Sequence, residues 1–421
     1  MRQLIILLIA LATPFLLFLA RIAPHLHKSV MDQPRGRRWP VVKAILRAFV
    51  PSGRTRRLPQ SPDEAAFRMP DDARRTVPYE QWHQVSDLVA NARQVSSLQS
   101  RTSGVSLDID GSVVVIRYRD ETTSDIAVVA PDGSFRAITG PEGVVAARWP
   151  MPSIDRGTVA WWQIAIDGKS AHLWVAEPSL TPRMLHTESL PKGQPLPLAP
   201  DGWVLVAGDK VAWTMLTGSE GTIGVTSLDG TTHRVGRTRF PTLHRDTAAE
   251  REGRRVAAVS VMEGDAVDFG QVGELSLDGP IPVLRLLRSG TYPGASVCDG
   301  SVVGFWLSQR VLQLPGGLWV HMPQGSSAID FTSDGEWCAG NLFRAPQSRD
   351  RERYVGELFH LPTGVRQRLC EQALGPPQLR AGRILWSWAA ETGRDFAGAS
   401  SWVGDLRAPS LSHGAGPAPV G

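Results

Sequence analysis

From about Val105 onward the apolar residues run in short blocks separated by polar turns, with strand-like blocks and no helical spacing between them. Central-strand candidates fall at 113–118, 159–163, 211–215, 256–262, 302–307, 337–343 and 384–388. Each is followed by a closing segment, and all but the last end on Gly, Pro or Asp-Gly. Four are strong: Asp125-Ile-Ala-Val-Val-Ala-Pro-Asp-Gly133, His172-Leu-Trp-Val-Ala-Glu-Pro178, Thr222-Ile-Gly-Val-Thr-Ser-Leu-Asp-Gly230 and Val272-Gly-Glu-Leu-Ser-Leu-Asp-Gly279. Three are weaker, at 318–323, 355–364 and 401–406. Eight Asp-Gly pairs punctuate the region, at 110, 132, 167, 201, 229, 278, 299 and 334. Asp-Gly tolerates the positive φ angles of tight hairpins, so the pattern is one of many hairpins. A period of roughly 45 residues built from strands alone predicts an all-β fold, a β-propeller with one four-stranded sheet per repeat and seven blades over residues 105–407.

Upstream, the pattern changes. Trp82, Val85, Leu88, Val89, Ala92 and Val95 recur at three- and four-residue spacing. This predicts an amphipathic helix over 80–97 packed on the propeller. Ser61-Pro-Asp-Glu64 has the form of a capping box and predicts a helical turn within a Pro- and Arg-rich linker at 51–78. Residues 39–50 predict a short amphipathic helix, with Pro40 in its first turn and Lys43 and Arg47 four apart on one face. The segment from Leu4 to Ala20 is uncharged and rich in Leu and Ile, long enough to cross a hydrocarbon core. The division is therefore an anchor at 1–28, a basic juxtamembrane segment and linker at 29–104, the propeller at 105–407 and a Pro/Gly/Ala/Ser-rich disordered tail at 408–421.

Charge sharpens this division. The net charge of +4 hides ten Lys and Arg against one acid, Asp32, in residues 21–57. The remainder from 58 carries 34 basic and 40 acidic side chains, a body of −6. A mildly acidic body excludes the basic face that nucleic-acid binding needs. A basic collar beside an apolar segment instead suits anionic lipid headgroups. Arg21, Lys28, Arg35, Arg37 and Arg38 follow the apolar segment closely, whereas Arg2 alone precedes it. That asymmetry favours an uncleaved anchor over a signal peptide and places the propeller on the cytoplasmic side.

Candidate chemistry is sparse. There is no Gly-x-Ser-x-Gly elbow, phosphate-binding loop or dinucleotide glycine pattern. Cys298, Cys338 and Cys370 match no zinc spacing and cannot all pair with one another, so they read as buried thiols. Asp108-Ile-Asp-Gly111 lacks the later ligands of a calcium loop and reads as a hairpin turn. Fourteen tryptophans, twelve of them from Trp149 to Trp402, read as packing between sheets. No cofactor, metal ligand or catalytic residue is assigned. Two charged insertions, 245–255 and 347–353, are solvated loops whose Arg245, Arg254, Arg255, Arg349, Arg351 and Arg353 are the candidate contacts to a partner protein. Acids at a central channel, such as Asp155, Asp209 and Asp330, are the residues a small-molecule or glycan site would use.

The unit Asp330-Phe-Thr-Ser-Asp-Gly-Glu-Trp-Cys338, with Tyr354-Val-Gly-Glu-Leu-Phe-His-Leu-Pro-Thr-Gly364, resembles the repeat of TolB-like or WD40-like propellers. Ala130-Pro-Asp-Gly133 and Ala199-Pro-Asp-Gly202 fit the same mould, although no Trp-Asp pair closes any repeat. The resemblance implies a protein-interaction module. With the anchor, it gives the expectation of a membrane-tethered, non-enzymatic propeller, an accessory subunit whose partners are membrane-complex proteins and anionic lipid. The alternative is a propeller that binds or cleaves a small molecule or glycan at its channel.

Overall fold

A computed structural model describes residues 75–97, 102–118, 124–138, 144–146, 152–165, 168–179, 181–190, 203–217, 220–245, 253–262, 270–291, 296–298, 301–306, 311–315, 318–322, 326–344, 353–373, 375, 377–388 and 400–409. They form a seven-bladed β-propeller. Blade 1 comprises Thr102–Leu107, Val113–Tyr118, Ser124–Val129 and Phe135–Ile138 in that order from the axis outward. In blade 2 the innermost strand is split into Val144–Ala146 and Ser153–Asp155, followed by Thr158–Ala165, Ser170–Ala176 and Arg183–Ser189. Blade 3 begins with Val204–Ala207, Lys210–Thr217 and Glu220–Ser227. Its outer strand, Thr232–Arg245, then runs on to become the innermost strand of blade 4, pairing through Thr232 to Arg239 with one blade and through Arg239 to Arg245 with the next. Val256–Met262, Gly270–Ser276 and Val283–Thr291 complete blade 4. Blade 5 holds Ser296–Cys298, Ser301–Trp306, Val311–Leu314 and Leu318–His321, and blade 6 holds Ser326–Asp334, Trp337–Arg344, Arg353–His360 and Val365–Cys370. Blade 7 has only Gln378–Arg380, Arg383–Trp388 and Ser400–Leu406 from the C-terminal side.

Each expected central-strand block lies on the second strand of a blade. All six Asp-Gly glycines among the described residues, Gly111, Gly133, Gly168, Gly230, Gly279 and Gly335, have positive φ, as hairpin turns require. One expected closing segment sits a strand further out: 318–323 supplies the fourth strand of blade 5, and the third is Val311–Leu314.

The helix expected over 80–97 is not formed. Within that stretch the one helical turn is a single 3-10 turn, Tyr79–Gln81. The segment is an extended strap. Arg75–Pro78 pairs in parallel with Leu318–His321 as a fifth strand of blade 5, and His83–Val85 does the same on Val365 to Gln367 of blade 6. Val89–Ser96 then pairs antiparallel with Ser400–Leu406 and supplies the missing fourth strand of blade 7. The last blade is thus closed by chain from both ends, and the propeller reaches upstream to residue 75. The helix-like spacing has a specific origin. Trp82 packs edge-on to Phe359 at 5.2 Å, Leu88 fills the space between blades 6 and 7, and Val95 faces blade 1. Register shifts between Ala90 and Arg93 and between Gln94 and Ser96, with Asn91 at φ 51°, break the two-residue alternation. The helical expectations at 39–50 and 61–64, the apolar segment at 4–20 and the tail from 410 fall outside the described residues. No helix among the described residues is long and apolar enough to cross a membrane.

The core is a ring of apolar clusters between neighbouring blades. Because both faces of a blade are covered, its strands read as continuous apolar runs. In Val113–Tyr118, Val113 and Val115 face blade 7, while Val114 faces blade 2. Trp161 and Trp162 likewise divide between blades 1 and 3. The Trp213 ring lies against Gly224, where any Cβ would collide with it. Trp161, Trp162, Trp213 and Trp319 are fully buried, so packing is what these tryptophans do.

Cys338 is buried and Cys370 half-buried, both as free thiols. Burial, with the Glu371 charge adding to it, pushes the Cys370 thiol up to about 11 from 9.0. The thiolate fraction near pH 8 falls by roughly a hundredfold, so iodoacetamide should label Cys370 about a hundred times more slowly in the native than in the urea-denatured protein. Peptide mass mapping over a time course reads this directly, and equal rates would contradict the burial.

Candidate functional site: the channel mouth

At one mouth of the central channel, the turns and loops that follow the innermost strands line a cavity of about 740 Å³. Blade 2 contributes Asp155 and Arg156, blade 3 Gly208, blade 4 Gly253 to Arg255, blade 6 Asp334 to Trp337, and blade 7 Arg380 to Gly382. The register places Asp155, Ala207, Asp334 and Arg380 at one equivalent position, the last residue before the turn in each inner strand.

An innermost strand pairs on one edge only, so its other edge must find partners elsewhere. Side chains from the neighbouring blade provide several of them. The amide of Ile154 donates to Ser106 Oγ at 3.2 Å, Val206 to Ser153 Oγ at 3.1 Å, and Leu107 to Gln378 Oε1 at 3.0 Å. Two residues further on, carboxylates repeat the device. Asp108 accepts from the amides of Arg156 at 2.8 Å and Gly157 at 2.7 Å, and Asp155 accepts from Gly208 at 2.7 Å. Each blade hands its side chains to the next.

Arginines complete this ring. Arg380, only 4% exposed, donates to the carbonyls of Leu107 at 3.2 Å and Ile154 at 3.0 Å, and it pairs with Asp155 and, at 3.5 Å, with Asp108. Arg245 donates to the carbonyl of Val206 at 2.6 Å and stands 3.6 Å from Asp155. Burial works against the Asp155 charge, but Arg245, the Gly208 amide and Arg380 outweigh it and hold the carboxyl below its usual value. At the rim, Arg255 pairs with Asp209 and with Asp278 at 3.3 Å. On the opposite wall the His360 imidazole lies against the Trp337 ring at 4.5 Å and 3.8 Å from Glu336. Burial keeps this imidazole below the ordinary histidine value, with Glu336 pulling the other way.

The sequence-level candidates therefore separate. Arg245 turns into the propeller, Arg255 is paired at its rim, and Arg254 lines the mouth. Arg353 opens the third strand of blade 6; Arg349 and Arg351 lie outside the described residues, as do Leu4, Ala20, Arg21, Lys28, Arg35, Arg37, Arg38, Lys43 and Arg47. Asp155 joins the buried ring, Asp209 is taken by Arg255, and Asp330 lies within Ser326–Asp334. The structure brings together Asp108, Asp155, Arg245 and Arg380, four residues spread over 273 positions of sequence. No local motif signals that ring. Among the described residues no group of three His, Cys, Asp or Glu could hold a metal ion.

No protein-family model matches the chain, and no curated sequence does. Solved structures with a similar course include the β-propeller domain of the trilobed protease from Pyrococcus furiosus, at 10% identity over 68% of this chain and 91% of that one, with a TM-score of 0.44. Prolyl oligopeptidase B from Galerina marginata is 12% identical over 74% of this chain and 48% of its own, with a TM-score of 0.43. The WD40 domain of SCAP from fission yeast is 10% identical over 77% and 92%, with a TM-score of 0.26. The chain spans about half the length of the prolyl oligopeptidase. The propeller is read from its own strand order.

Proposed function

We propose that this chain is a membrane-tethered, non-catalytic propeller that binds a partner protein as an accessory subunit of a membrane complex. The observation that carries this reading is the commitment of the channel-mouth carboxylates. Asp108 and Asp155 are held by arginine and by backbone amides, and Asp209 is paired with Arg255. Acids so engaged staple blades; they are poorly placed to act as general acid and base on a glycan. The uncharged run from Leu4 to Ala20 and the collar of Arg21, Lys28, Arg35, Arg37 and Arg38 support tethering with the body on the cytoplasmic side.

Full-length protein is expected in the membrane fraction, and deletion of residues 1–28 should release most of it, leaving weak, salt-sensitive binding through Arg35 to Arg57. Recovery of the full-length product as a soluble form cut near Ala20 or Ala23 would refute the anchor. Purification in mild detergent should bring down a stoichiometric partner. Turnover of a glycan or ester by the purified protein, with no partner recovered, would replace this reading by the small-molecule alternative.

A further inference from the structure

Most charges at the channel mouth are used up internally, and one is not. Arg380, Asp155 and Arg245 satisfy each other and the inner-strand backbone, and Arg255 is shared by Asp209 and Asp278. Arg156 is different. Its side chain is exposed on the cavity lining and makes no hydrogen bond or ion pair among the described residues.

Its backbone makes that placement notable. Arg156 and Gly157 are the two central residues of the turn between Asp155 and Thr158, with φ of 48° and 77°. Both are left-handed, the form of hairpin turn in which Asn or Gly normally fills the first position. The equivalent turn of blade 7 has Ala381 and Gly382 at 49° and 71°, so no large side chain is needed for the turn itself. The turn is also held in place: Asp108 of blade 1 binds the amides of both Arg156 and Gly157. A guanidinium is thus carried on a fixed, strained mount at the cavity edge, without an internal task.

Arg254 of blade 4 lines the same cavity, as do Gly208 and Gly253. The remaining rim is apolar at Ile109, which is 40% exposed, and at Ala381. Asp334 and Glu336 stand on the blade 6 wall, with the Glu336 side chain 72% exposed. Apart from the Asp155–Arg380 pair, the cavity is therefore polarised, with Arg156 and Arg254 on the side of blades 2 and 4 and Asp334 and Glu336 on that of blade 6. At about 740 Å³ it has room for a few residues of chain.

We propose that the channel mouth is a receptor for an acidic peptide segment of the partner protein, its carboxylate engaged by Arg156 with Arg254 beside it and an adjoining apolar residue against Ile109. This deepens the interaction reading and rests on it. Charge complementarity chooses the occupant. A lone carboxylate gains a fork of donors from Arg156, whereas a nucleic acid or lipid surface would bring a field of phosphates against Asp334 and Glu336 as well.

The test uses full-length protein in detergent and fluorescein-labelled hexapeptide pools that differ only in carrying Glu, Gln or Lys. The Glu pool should bind tightest at 50 mM salt, and Arg156→Gly should weaken it roughly tenfold, with Arg156→Lys in between. Arg156→Gly is the informative variant, because glycine suits the left-handed φ and its thermal midpoint should equal or exceed that of the parent. A Glu pool that binds no better than the Gln pool, or that binds Arg156→Gly unchanged, overturns the proposal. So does binding of an oligothymidylate or of phosphatidylglycerol vesicles in preference to the Glu pool. Co-purification of a partner separates the two levels. A partner retained by Arg156→Gly, with no acidic-peptide preference, ends the mouth proposal and leaves the interaction reading standing. A parent protein with no partner at all ends the interaction reading itself.

Discussion

Replacing Glu357 with Ala should lower the thermal midpoint by roughly 4 °C, a large shift for a domain of this size, because it removes the anion from a buried lock between the strap and blade 6. Glu357 is fully buried on the third strand of that blade. The Tyr79 hydroxyl donates to its carboxylate, 2.6 Å from either oxygen, and both oxygens lie 3.3 Å from the Arg366 guanidinium, which in turn stands 4.3 Å over the Tyr79 ring. Losing one partner of a buried ion pair costs about 3–5 kcal/mol, since the other charge is left without its counter-ion. The Tyr79 ring still faces Arg366 after the change, so the lower end of that range applies. Tyr79→Phe removes only the hydroxyl and should cost about 1–3 kcal/mol. The location of the damage is part of the prediction. Tyr79 belongs to the strap that lies on blades 5 and 6 and then closes blade 7, so trypsin should cut the Glu357→Ala variant first at Arg75 or Arg93. Calorimetry showing a midpoint within 2 °C of the parent, or first cuts elsewhere, would contradict the lock.

The strap is also where sequence reasoning and structure part. The blades were legible because each repeat carries its own signal, a valine- or tryptophan-rich second strand with an Asp-Gly hairpin nearby. Residues 80–97 carry no repeat of their own. Trp82 faces one cluster, Val85 and Leu88 a second and Val95 a third, and their spacing records the distance between blades. Three- and four-residue spacing is the mark of a helix only when one surface receives all the apolar residues. Here several surfaces do. The mouth was illegible for a related reason. Ser106, Ser153 and Gln378 share a role, as do Asp108 and Asp155, yet each lies in an ordinary strand end. Only ring closure, which sets blade 7 beside blade 1, puts Arg380 between two aspartates. Reading 245–255 as one solvated loop failed to anticipate Arg245 turning inward, because that residue still belongs to the inner strand Thr232–Arg245.

That arrangement makes Arg380→Leu the second large change expected, and its pH dependence tells whether the ring works as described. In the parent, Asp155 is held below its ordinary 3.8 although burial opposes it, so the folded protein binds fewer protons there than the unfolded chain. Its contribution to stability is complete above pH 3.8 and is lost as pH falls through the lower folded value. Removing Arg380 takes away an ion pair and a hydrogen bond, while Arg245 at 3.6 Å and the Gly208 amide remain. Losing Arg380 leaves burial opposed only by Arg245 and the Gly208 amide, so the folded value of this carboxyl should rise. The variant's folded Asp155 then takes up its proton at a higher pH than the parent's, so its destabilisation is greatest near pH 7 and shrinks on acidification. At pH 7 the loss should be about 3 kcal/mol, near the lower bound for breaking a buried pair, since the backbone amides still serve both aspartates. Urea midpoints for parent and variant between pH 4 and pH 8 measure the difference. A deficit that narrows toward pH 4 is the expected result, and Arg380→Leu with Asp155→Asn should remove the narrowing. A deficit that stays constant with pH would mean that Arg380 acts through its bonds to the Leu107 and Ile154 carbonyls and not through the Asp155 charge.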